Sequence, residues 1–504
     1  MASTTSPHYR GLLRQRLGEA ASVLLDDATS SLADAADIDG GELRLLETLV
    51  AAVRETPGDG RLWLLFTAVA GAYPTTRQLD ELRRRLDVVS PAAAVGVLLE
   101  LSEDTAGRKG DWDRPLRIVR GGTLVDVNFC AKFVHNTGIQ RVVRELMPHF
   151  IQRAGSQKLD LVAWTRQNGL TRSLSAIELQ RVVDWRALSA GTSQLPDEPV
   201  DELLVPWHGD LLLPEVPEPE LCEALACLAE HSGTRVTVIG YDTIPISSAD
   251  LISGRESERF AHYLTVVKHA VRVLAISESV AGEFRGFTST LPAQGLTGPE
   301  IVSVPLAADV PSAVAPDATS DELPLVLCVG SHEPRKNQDA VLFAVETLLR
   351  EGLRFRVVFV GGGSRSVTLP FDRHLMKLRK TKGFDVESAR GLRDNDLWSL
   401  YANARFTVLT SLHEGYGLPV VESLALNTPV LTSNYGSLAE IGESGGCVMV
   451  NPRDDDEIIE AMRRMLTDDA LMATLQQQIG DLPVRTWADY AAELWTESRL
   501  ETAR

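Results

Sequence analysis

The sequence lacks three features that would place it in a membrane or outside the cell. It has no apolar run near the ~18 residues that a transmembrane helix needs. Residues 1–16 are polar and include three arginines, so they do not form an apolar signal core. Its five cysteines are an odd number without a C-x-x-C pair, which is typical of reduced thiols. We therefore expect a cytoplasmic protein, with peripheral contact at the inner membrane face as the alternative.

The sequence is also poor in positive charge. It has 50 Lys and Arg against 69 Asp and Glu, a formal net charge of −19, which argues against a general nucleic-acid binder. Residues 365–382 form a local basic segment that could approach anionic lipid, although a solvated helix face is the favoured interpretation. No D-x-D follows a predicted strand and no His/Cys cluster occurs, so we predict no metal site.

Helical and strand patterns divide the chain into domains. Apolar residues at helical spacing run through residues 1–110 and predict an all-helical accessory domain. Strand and helix patterns alternate through 111–315 and again through 316–482, which predicts an α/β protein with two doubly wound parallel sheets. Polar residues 104–115 indicate a linker, and residues 311–324 a hinge. The strand candidates are 123–127, 159–164, 203–206, 236–240, 273–276 and 301–304, then 325–329, 356–360, 406–410, 430–432 and 447–450.

Residues 413–422 are the strongest candidate for a ligand site. Glu414 and Glu422, with seven residues between them, flank a loop containing Gly415 and Gly417 that precedes a predicted helix. Backbone amides at a helix start favour an anion, most often phosphate. Carboxylates repel phosphate but accept hydrogen bonds from sugar hydroxyls. The combination predicts a pocket for a nucleotide sugar; the alternative is a pair of carboxylates that only favour the helix dipole.

Four segments, taken in order, resemble retaining glycosyltransferases of family 4. Residues 327–337 are similar to its VG-x-x-EPRKN segment, and residues 395–404 to its L-x-x-L-Y-x-x-A helix. Residues 414–422 are similar to its E-x7-E motif, and residues 435–441 to the stretch that follows this motif. The similarity does not cover the first hundred residues. It implies the GT-B fold, in which two Rossmann-like domains face each other, and it implies that residues 483–504 form a helix that crosses back to the first of them.

The resemblance implies a donor site on the second predicted sheet. Glu414 would contact the transferred sugar, and Glu422 the ribose hydroxyls. Arg335 and Lys336 would neutralise the diphosphate leaving group, although an exposed basic turn is the alternative. Some family members carry an arginine directly after the glycine of this segment, where this chain has Ser331. The implied donor-binding residues are Gly138, Gly330, Arg335, Lys336, Glu414, Gly415, Tyr416, Gly417, Leu418 and Glu422.

The first predicted sheet would supply the acceptor side. Tyr241 stands where many family members have histidine, and Asp242 could bind an acceptor hydroxyl, act as a base or stabilise a turn. His208 follows Trp207, a pairing that suits sugar stacking, although a core tryptophan is the favoured interpretation. Arg141 and Arg144, one helical turn apart after Gly138, are more typical of a solvated helix face.

The resemblance implies a retaining, metal-independent glycosyltransferase. It would move a hexose or deoxyhexose, with mannosyl and rhamnosyl donors favoured, from a nucleoside diphosphate to an acceptor hydroxyl in polysaccharide or glycoconjugate synthesis. The catalytic residues would be Glu414, Lys336, Arg335 and Asp242. The nucleotide sugar would be a co-substrate, with no separate cofactor. The acceptor would be a saccharide or a lipid-linked saccharide.

Two other functions stay open from the sequence. An epimerase or hydrolase of nucleotide sugars on the same fold would act without an acceptor, but it would need an acid/base set that the sequence does not show. A non-catalytic assembly subunit would use the helical N-terminal domain to dock a protein or membrane partner and would carry a vestigial donor site. Retention of donor binding after removal of residues 1–110 would favour the enzyme over the subunit.

Overall fold

The computed structural model describes residues 7–25, 41–136, 138–155, 159–189, 202–308, 310, 323–363 and 365–500. Within these ranges no helix combines the length and apolarity that a bilayer span requires. The helices before the first sheet are α1 (Pro7–Leu24), α2 (Gly41–Glu55), α3 (Asp59–Ala70), α4 (Thr76–Val88) and α5 (Pro91–Lys109).

The first sheet contains nine strands: β1 (Leu116–Arg120), β2 (Thr123–Asp126), β3 (Leu159–Trp164), β4 (Thr171–Ser173), β5 (Leu203–Trp207), β6 (Asp210–Leu213), β7 (Arg235–Gly240), β8 (Arg272–Ala275) and β9 (Glu300–Ser303). Their order is β1-β5-β4-β3-β2-β6-β7-β8-β9, and pairing is parallel except at β4. The helices among them are α6 (Asn128–Lys132), α7 (Gly138–Ala154), α8 (Ala176–Val183), α9 (Trp185–Ser189), α10 (Pro219–His231), α11 (Ile244–Ser247), α12 (Gly254–Val267) and α13 (Glu278–Thr288).

The second sheet contains six parallel strands: β10 (Leu325–Val329), β11 (Arg356–Val360), β12 (Asp385–Ala389), β13 (Phe406–Leu409), β14 (Val430–Ser433) and β15 (Cys447–Val450). Its order, β12-β11-β10-β13-β14-β15, is the doubly wound Rossmann order, which reverses between β10 and β13. The helices are α14 (Gln338–Arg350), α15 (Arg365–Arg379), α16 (Asp394–Asn403), α17 (Leu418–Ala425), α18 (Gly436–Gly442), α19 (Asp455–Thr467), α20 (Asp469–Gly480) and α21 (Trp487–Glu497). The predicted α/β class with two sheets is confirmed, except that β4 pairs antiparallel in the first sheet.

Helix α1 covers the free edge of the first sheet. Gln15 exchanges two hydrogen bonds with the backbone of Leu116, at 2.6 and 2.9 Å, and the Glu19 carboxylate accepts from the Ile118 amide at 3.3 Å. These side chains satisfy backbone groups of β1 that another strand would otherwise pair, which protects an edge from aggregation. The helical region is therefore hydrogen-bonded to the sheet along this edge.

An aromatic group joins the helical region to the interior of the first sheet. Tyr73 stacks on Trp63 with ring centroids 5.3 Å apart and meets the edge of Trp164 at 5.6 Å. Its hydroxyl lies 2.7 Å from the Thr171 hydroxyl on β4. Buried residues of α1–α5 and of the first sheet belong to one continuous hydrophobic cluster. The helical region and the first sheet therefore share a core.

The structure corrects several local predictions. The predicted linker 104–115 is wrong over its first half, because α5 continues to Lys109 and Asp111 is buried. Strands β1, β4, β6 and β12 were not predicted; β4 and β12 are polar, and β6 starts only three residues after β5 ends. The predicted hinge 311–324 lies outside the described residues except for its last two positions.

The last helix, α21, packs against the first sheet rather than the second. Trp495 meets Phe150 of α7 edge to face at 5.2 Å. Arg272 of β8 donates a hydrogen bond to the Glu497 carbonyl at 2.7 Å. The chain thus returns to the first domain after leaving the second sheet.

Candidate functional site

The candidate donor residues collect where the order of the second sheet reverses. The loop after β10 carries Gly330 and Lys336, and the loop after β13 carries Glu414. In doubly wound sheets, ligands bind in the crevice at this point, outside the carboxyl ends of the strands. Residues 78 positions apart in sequence are therefore neighbours here.

Glu414 receives two cationic donors at this point. Lys336 Nζ lies 2.5 Å from Glu414 Oε1, and Arg335 Nη1 lies 2.9 Å from Oε2. The Ser411 hydroxyl also donates to Oε1 at 2.7 Å. Burial alone would raise the pKa of Glu414, but the two cations lower it to about 2. The carboxyl group therefore stays ionised and fixes both cations at the cleft.

Glu422 is bound from the opposite domain. Arg141, in the first turn of α7, places Nη1 2.5 Å from Glu422 Oε1, and the Tyr401 hydroxyl donates to Oε2 at 3.2 Å. The Arg141 guanidinium also lies over the Trp398 ring, 5.6 Å from its centroid. Burial raises the pKa of Glu422, and Arg141 opposes that change. The prediction that Arg141 belongs to a solvated face is wrong.

His413 links the two domains beside Glu414. Its Nδ1 lies 2.8 Å from the Ser248 hydroxyl and its Nε2 2.7 Å from Glu283 Oε1, both in the first domain. The hydrogen bond to Glu283 raises the pKa of His413. Neither His413 nor Glu283 was a predicted site residue, because their pairing joins positions 130 residues apart.

Asp242 lies at the end of β7, facing the same cluster. Burial raises its pKa to about 6, with Arg335 acting in the opposite direction and Glu283 in the same one. One carboxylate oxygen accepts from the Ile244 amide at 3.1 Å, so the predicted turn role is present. The charges of Arg335 and His413 also act on this carboxyl group, so it lies near the groups around Glu414, and the predicted acceptor role stays a prediction.

The glycines of the 413–422 segment permit close backbone approach. A Cβ at Gly415 would lie 2.2 Å from the Tyr241 carbonyl oxygen, and Ser277 already donates to the Gly415 carbonyl at 2.8 Å. Gly417 has φ of 121°, a conformation that favours glycine, and it caps α17 at Leu418. The loop is therefore pressed against the first domain before the helix begins.

Two other predicted residues, Tyr241 and Tyr416, donate their hydroxyls to carbonyls of the first domain. Tyr241 is buried and its hydroxyl donates to the Pro214 carbonyl at 2.8 Å, so its side chain belongs to the first-domain core. The Tyr416 hydroxyl reaches the Leu306 carbonyl at 2.7 Å. Gly330, with φ of 150°, accepts from the Gln338 side chain at 3.1 Å. Gly138 starts α7, one turn before Arg141.

His208 does not fit the acceptor-side role predicted for it. It lies between β5 and β6, before the amino end of β6, and a Cβ on Gly233 would contact its ring. The cleft residues instead follow the carboxyl ends of strands such as β7. The sequence placed His208 at the end of one strand, whereas β6 begins two residues later, so His208 lies within a short connection between two strands.

Arg144 also differs from its prediction. Its side chain is 1 % exposed and donates to the carbonyls of Phe133 and His135 in the preceding loop. It is a loop-fixing residue and not part of a solvated face. Within the described ranges, no group of three or more His, Cys, Asp or Glu side chains has the arrangement of a metal site.

Comparison with known proteins agrees with this geometry. Residues 313–480 match the family model described as glycosyl transferases group 1. The serotype-specific mannosyltransferase WbdA of Escherichia coli is 27 % identical over 340 residues, 64 % of this chain and 40 % of WbdA. O-antigen chain mannosyltransferase B of Escherichia coli is 34 % identical over 144 residues, 29 % of this chain and 37 % of that protein. The chain thus spans less than half the length of these relatives.

Among solved structures, sucrose-phosphate synthase from Thermosynechococcus elongatus is similar in fold. The TM-score is 0.53 at 15 % sequence identity, with 76 % of this chain and all of that chain covered. The predicted fold class is confirmed. The chain has the GT-B fold, and its residues 313–480 match the family model of the glycosyl transferases group 1.

Proposed function

We propose that this protein is a retaining glycosyltransferase that moves a hexose from a nucleoside-diphosphate sugar to a hydroxyl of a saccharide acceptor in polysaccharide synthesis. The observation that carries the proposal is the binding of Arg335 and Lys336 to one buried carboxylate, Glu414, at the crevice of the second sheet. The similarity to two mannosyltransferases favours mannose as the transferred sugar.

The proposed reaction breaks the bond between the anomeric carbon and the diphosphate oxygen. The acceptor oxygen forms its new bond on the same face, and its proton passes to the leaving phosphate. Negative charge grows on the diphosphate as the bond breaks, and Lys336 and Arg335 would stabilise it there. Because side-chain cations fill this role, we propose that the reaction needs no metal ion.

Donor binding is the direct test. The melting temperature would be measured with GDP-, UDP-, dTDP- and ADP-sugars, with and without EDTA. We expect one nucleotide to raise it, EDTA to leave the rise unchanged, and Glu422→Gln to weaken it because Glu422 would accept ribose hydrogen bonds. Glu443→Gln, at an exposed position, is the matched control and should behave as wild type.

Two results would contradict parts of the proposal. No rise with any sugar nucleotide would remove the donor site, and a rise that disappears in EDTA would remove metal independence. With the donor identified, NMR of the product would report the anomeric configuration, and inversion would exclude the retaining mechanism. Conversion of the donor without an acceptor would instead support an epimerase or hydrolase.

Asp242 should impose a pH dependence. Its pKa, about 6 in the folded protein, lies above the usual 3.8, so folding favours the protonated form and stability falls as pH rises between these values. If the carboxylate positions the acceptor hydroxyl, turnover should fall as pH drops through about 6. Asp242→Asn should therefore melt at a higher temperature at pH 7.5 yet lose about tenfold or more in kcat/KM.

The control for this prediction is Asp250→Asn, an exposed position in the same domain. It should keep both the wild-type melting temperature and the wild-type pH profile. A fully active Asp242→Asn variant would leave Asp242 with only its turn-stabilising hydrogen bond to Ile244.

A further inference from the structure

Two exposed apolar side chains follow α6. Phe133 is 40 % exposed and Val134 65 % exposed. Phe133 packs on Phe129 with centroids 4.7 Å apart, and the His135 ring meets the edge of Phe129 at 4.9 Å. The three rings form one small aromatic cluster on the first domain.

Arg144 binds residues 133–136 from the interior of the first domain. The buried Arg144 guanidinium donates to the carbonyls of Phe133 at 2.5 Å and His135 at 2.9 Å, and to Asn136 Oδ1 at 3.0 Å. It also reaches the Cys130 carbonyl at 3.4 Å. Burial of a charge is tolerated only where its hydrogen bonds are satisfied, so these contacts fix the backbone that presents Phe133. The exposed ring is therefore preorganised.

The cluster lies at the reversal point of the first sheet. The chain proceeds from β2 to β3 on one side and from β6 to β7 on the other, so the crevice opens between β2 and β6. Phe129 follows β2, and Glu215, after β6, accepts from the Phe129 amide at 2.7 Å. This is the crevice in which open α/β sheets bind ligands. The next helix carries Arg141, which reaches Glu422 of the candidate donor site.

We propose that the cluster Phe129, Phe133 and His135 is the acceptor platform, on which a pyranose ring of a saccharide acceptor stacks against Phe133. This inference rests on the proposed function. The exposed ring offers an apolar face, while the exposed His135 and Asn136 beside it offer polar groups to the sugar hydroxyls. An aromatic wall with a few placed polar groups is the usual composition of a small-ligand site.

A saccharide fits this site better than a lipid surface does. The exposed apolar tip is limited to Phe133 and Val134, and polar residues follow it at once. The whole chain carries a net charge of −19, which opposes approach to anionic lipid. The platform would therefore select acceptors that present a sugar ring.

The test measures saccharide binding separately from donor binding. Methyl α-mannotrioside serves as the probe, and its Kd is measured by NMR titration of wild type and of Phe133→Ala, Phe133→Tyr and Val134→Ala. We expect Phe133→Ala to weaken saccharide binding about tenfold, because an aromatic contact is lost. Phe133→Tyr should restore it, Val134→Ala should change it less than about twofold, and donor Kd should be unchanged in all three.

Equal saccharide affinity in Phe133→Ala and wild type would overturn the platform. So would a wild-type protein that binds donor but not the mannotrioside, since that would leave the proposed function intact without this site. A third result would assign the loop to a membrane instead. In that case, Phe133→Ala would reduce cosedimentation with phosphatidylglycerol vesicles and leave the saccharide Kd unchanged. Loss of donor binding in wild type would count against the proposed function alone.

Discussion

Replacing Lys336 with alanine should lower kcat by about two to three orders of magnitude, the effect of removing one preorganised group that stabilises transition-state charge. Lys336 and Arg335 together neutralise Glu414, and both would face the departing diphosphate. The substitution removes one of these cations and leaves Glu414 with Arg335 and Ser411. Single-turnover kinetics with saturating donor would separate this loss from weaker donor binding.

The same substitution should change the titration of Glu414. Burial raises the pKa of Glu414, and the charge of Lys336, followed by that of Arg335, lowers it to about 2. The pKa should therefore rise when Lys336 is removed. A carboxyl group whose pKa is lower in the folded than in the unfolded state stabilises the fold at neutral pH, and this stabilisation is lost as pH falls toward the folded-state pKa. Lys336→Ala reduces this stabilisation, so the variant should unfold at a higher pH during acid titration. Lys380→Ala, at an exposed position of the same domain, is the control. A kcat within about threefold of wild type would contradict a leaving-group role for Lys336.

Removal of residues 1–110 should abolish soluble expression. The deletion would uncover β1, whose Leu116 and Ile118 backbone groups bind Gln15 and Glu19. It would also expose the apolar surface on which Tyr73 and Trp63 pack. An uncovered strand edge beside an exposed core is an aggregation site. We expect residues 111–504 alone to be insoluble and the full-length chain to be soluble. In the full-length chain, the helical region and the first sheet should unfold in one transition.

Co-expression of residues 1–110 as a separate chain provides the control, because it should restore part of the soluble protein. Soluble, cooperatively folded 111–504 with unchanged donor binding would show instead that the helical region is separable. The truncation therefore does not distinguish an enzyme from an assembly subunit. A shared core means that failure of the truncated chain would report on folding and not on a lost partner.

The proximity of the candidate donor residues was largely predictable from the sequence, because these residues lie in short, ordered motifs. Lys336 and Glu414 each follow a strand of a doubly wound sheet, and the carboxyl ends of such strands lie at the same edge of the sheet. The two sheets were predictable for the same reason, since most of their strands are apolar runs between helices. The strands that were not predicted lack this pattern, as the polar β12 shows.

The contacts between domains were not predictable from a single sequence. Arg141 is 281 positions from Glu422, and the spacing of Arg141 and Arg144 fits a solvated helix face as well as it fits two different buried roles. His413 and Glu283 give no local signal that they meet. The common core of α1–α5 and the first sheet was also not predicted, because helical periodicity shows which face of a helix is buried but not what packs against it.

The Arg141–Glu422 ion pair has a consequence for the proposed donor site. If Glu422 binds the donor ribose as proposed, the oxygen that accepts from Arg141 cannot at the same moment accept in full from a ribose hydroxyl, so Arg141 and the nucleotide would compete for one carboxylate. Donor binding would then require the form without this ion pair, and the apparent affinity would be reduced by the fraction of molecules in that form. The first domain would then act as a tethered competitive inhibitor of the second, with a strength set by a single arginine.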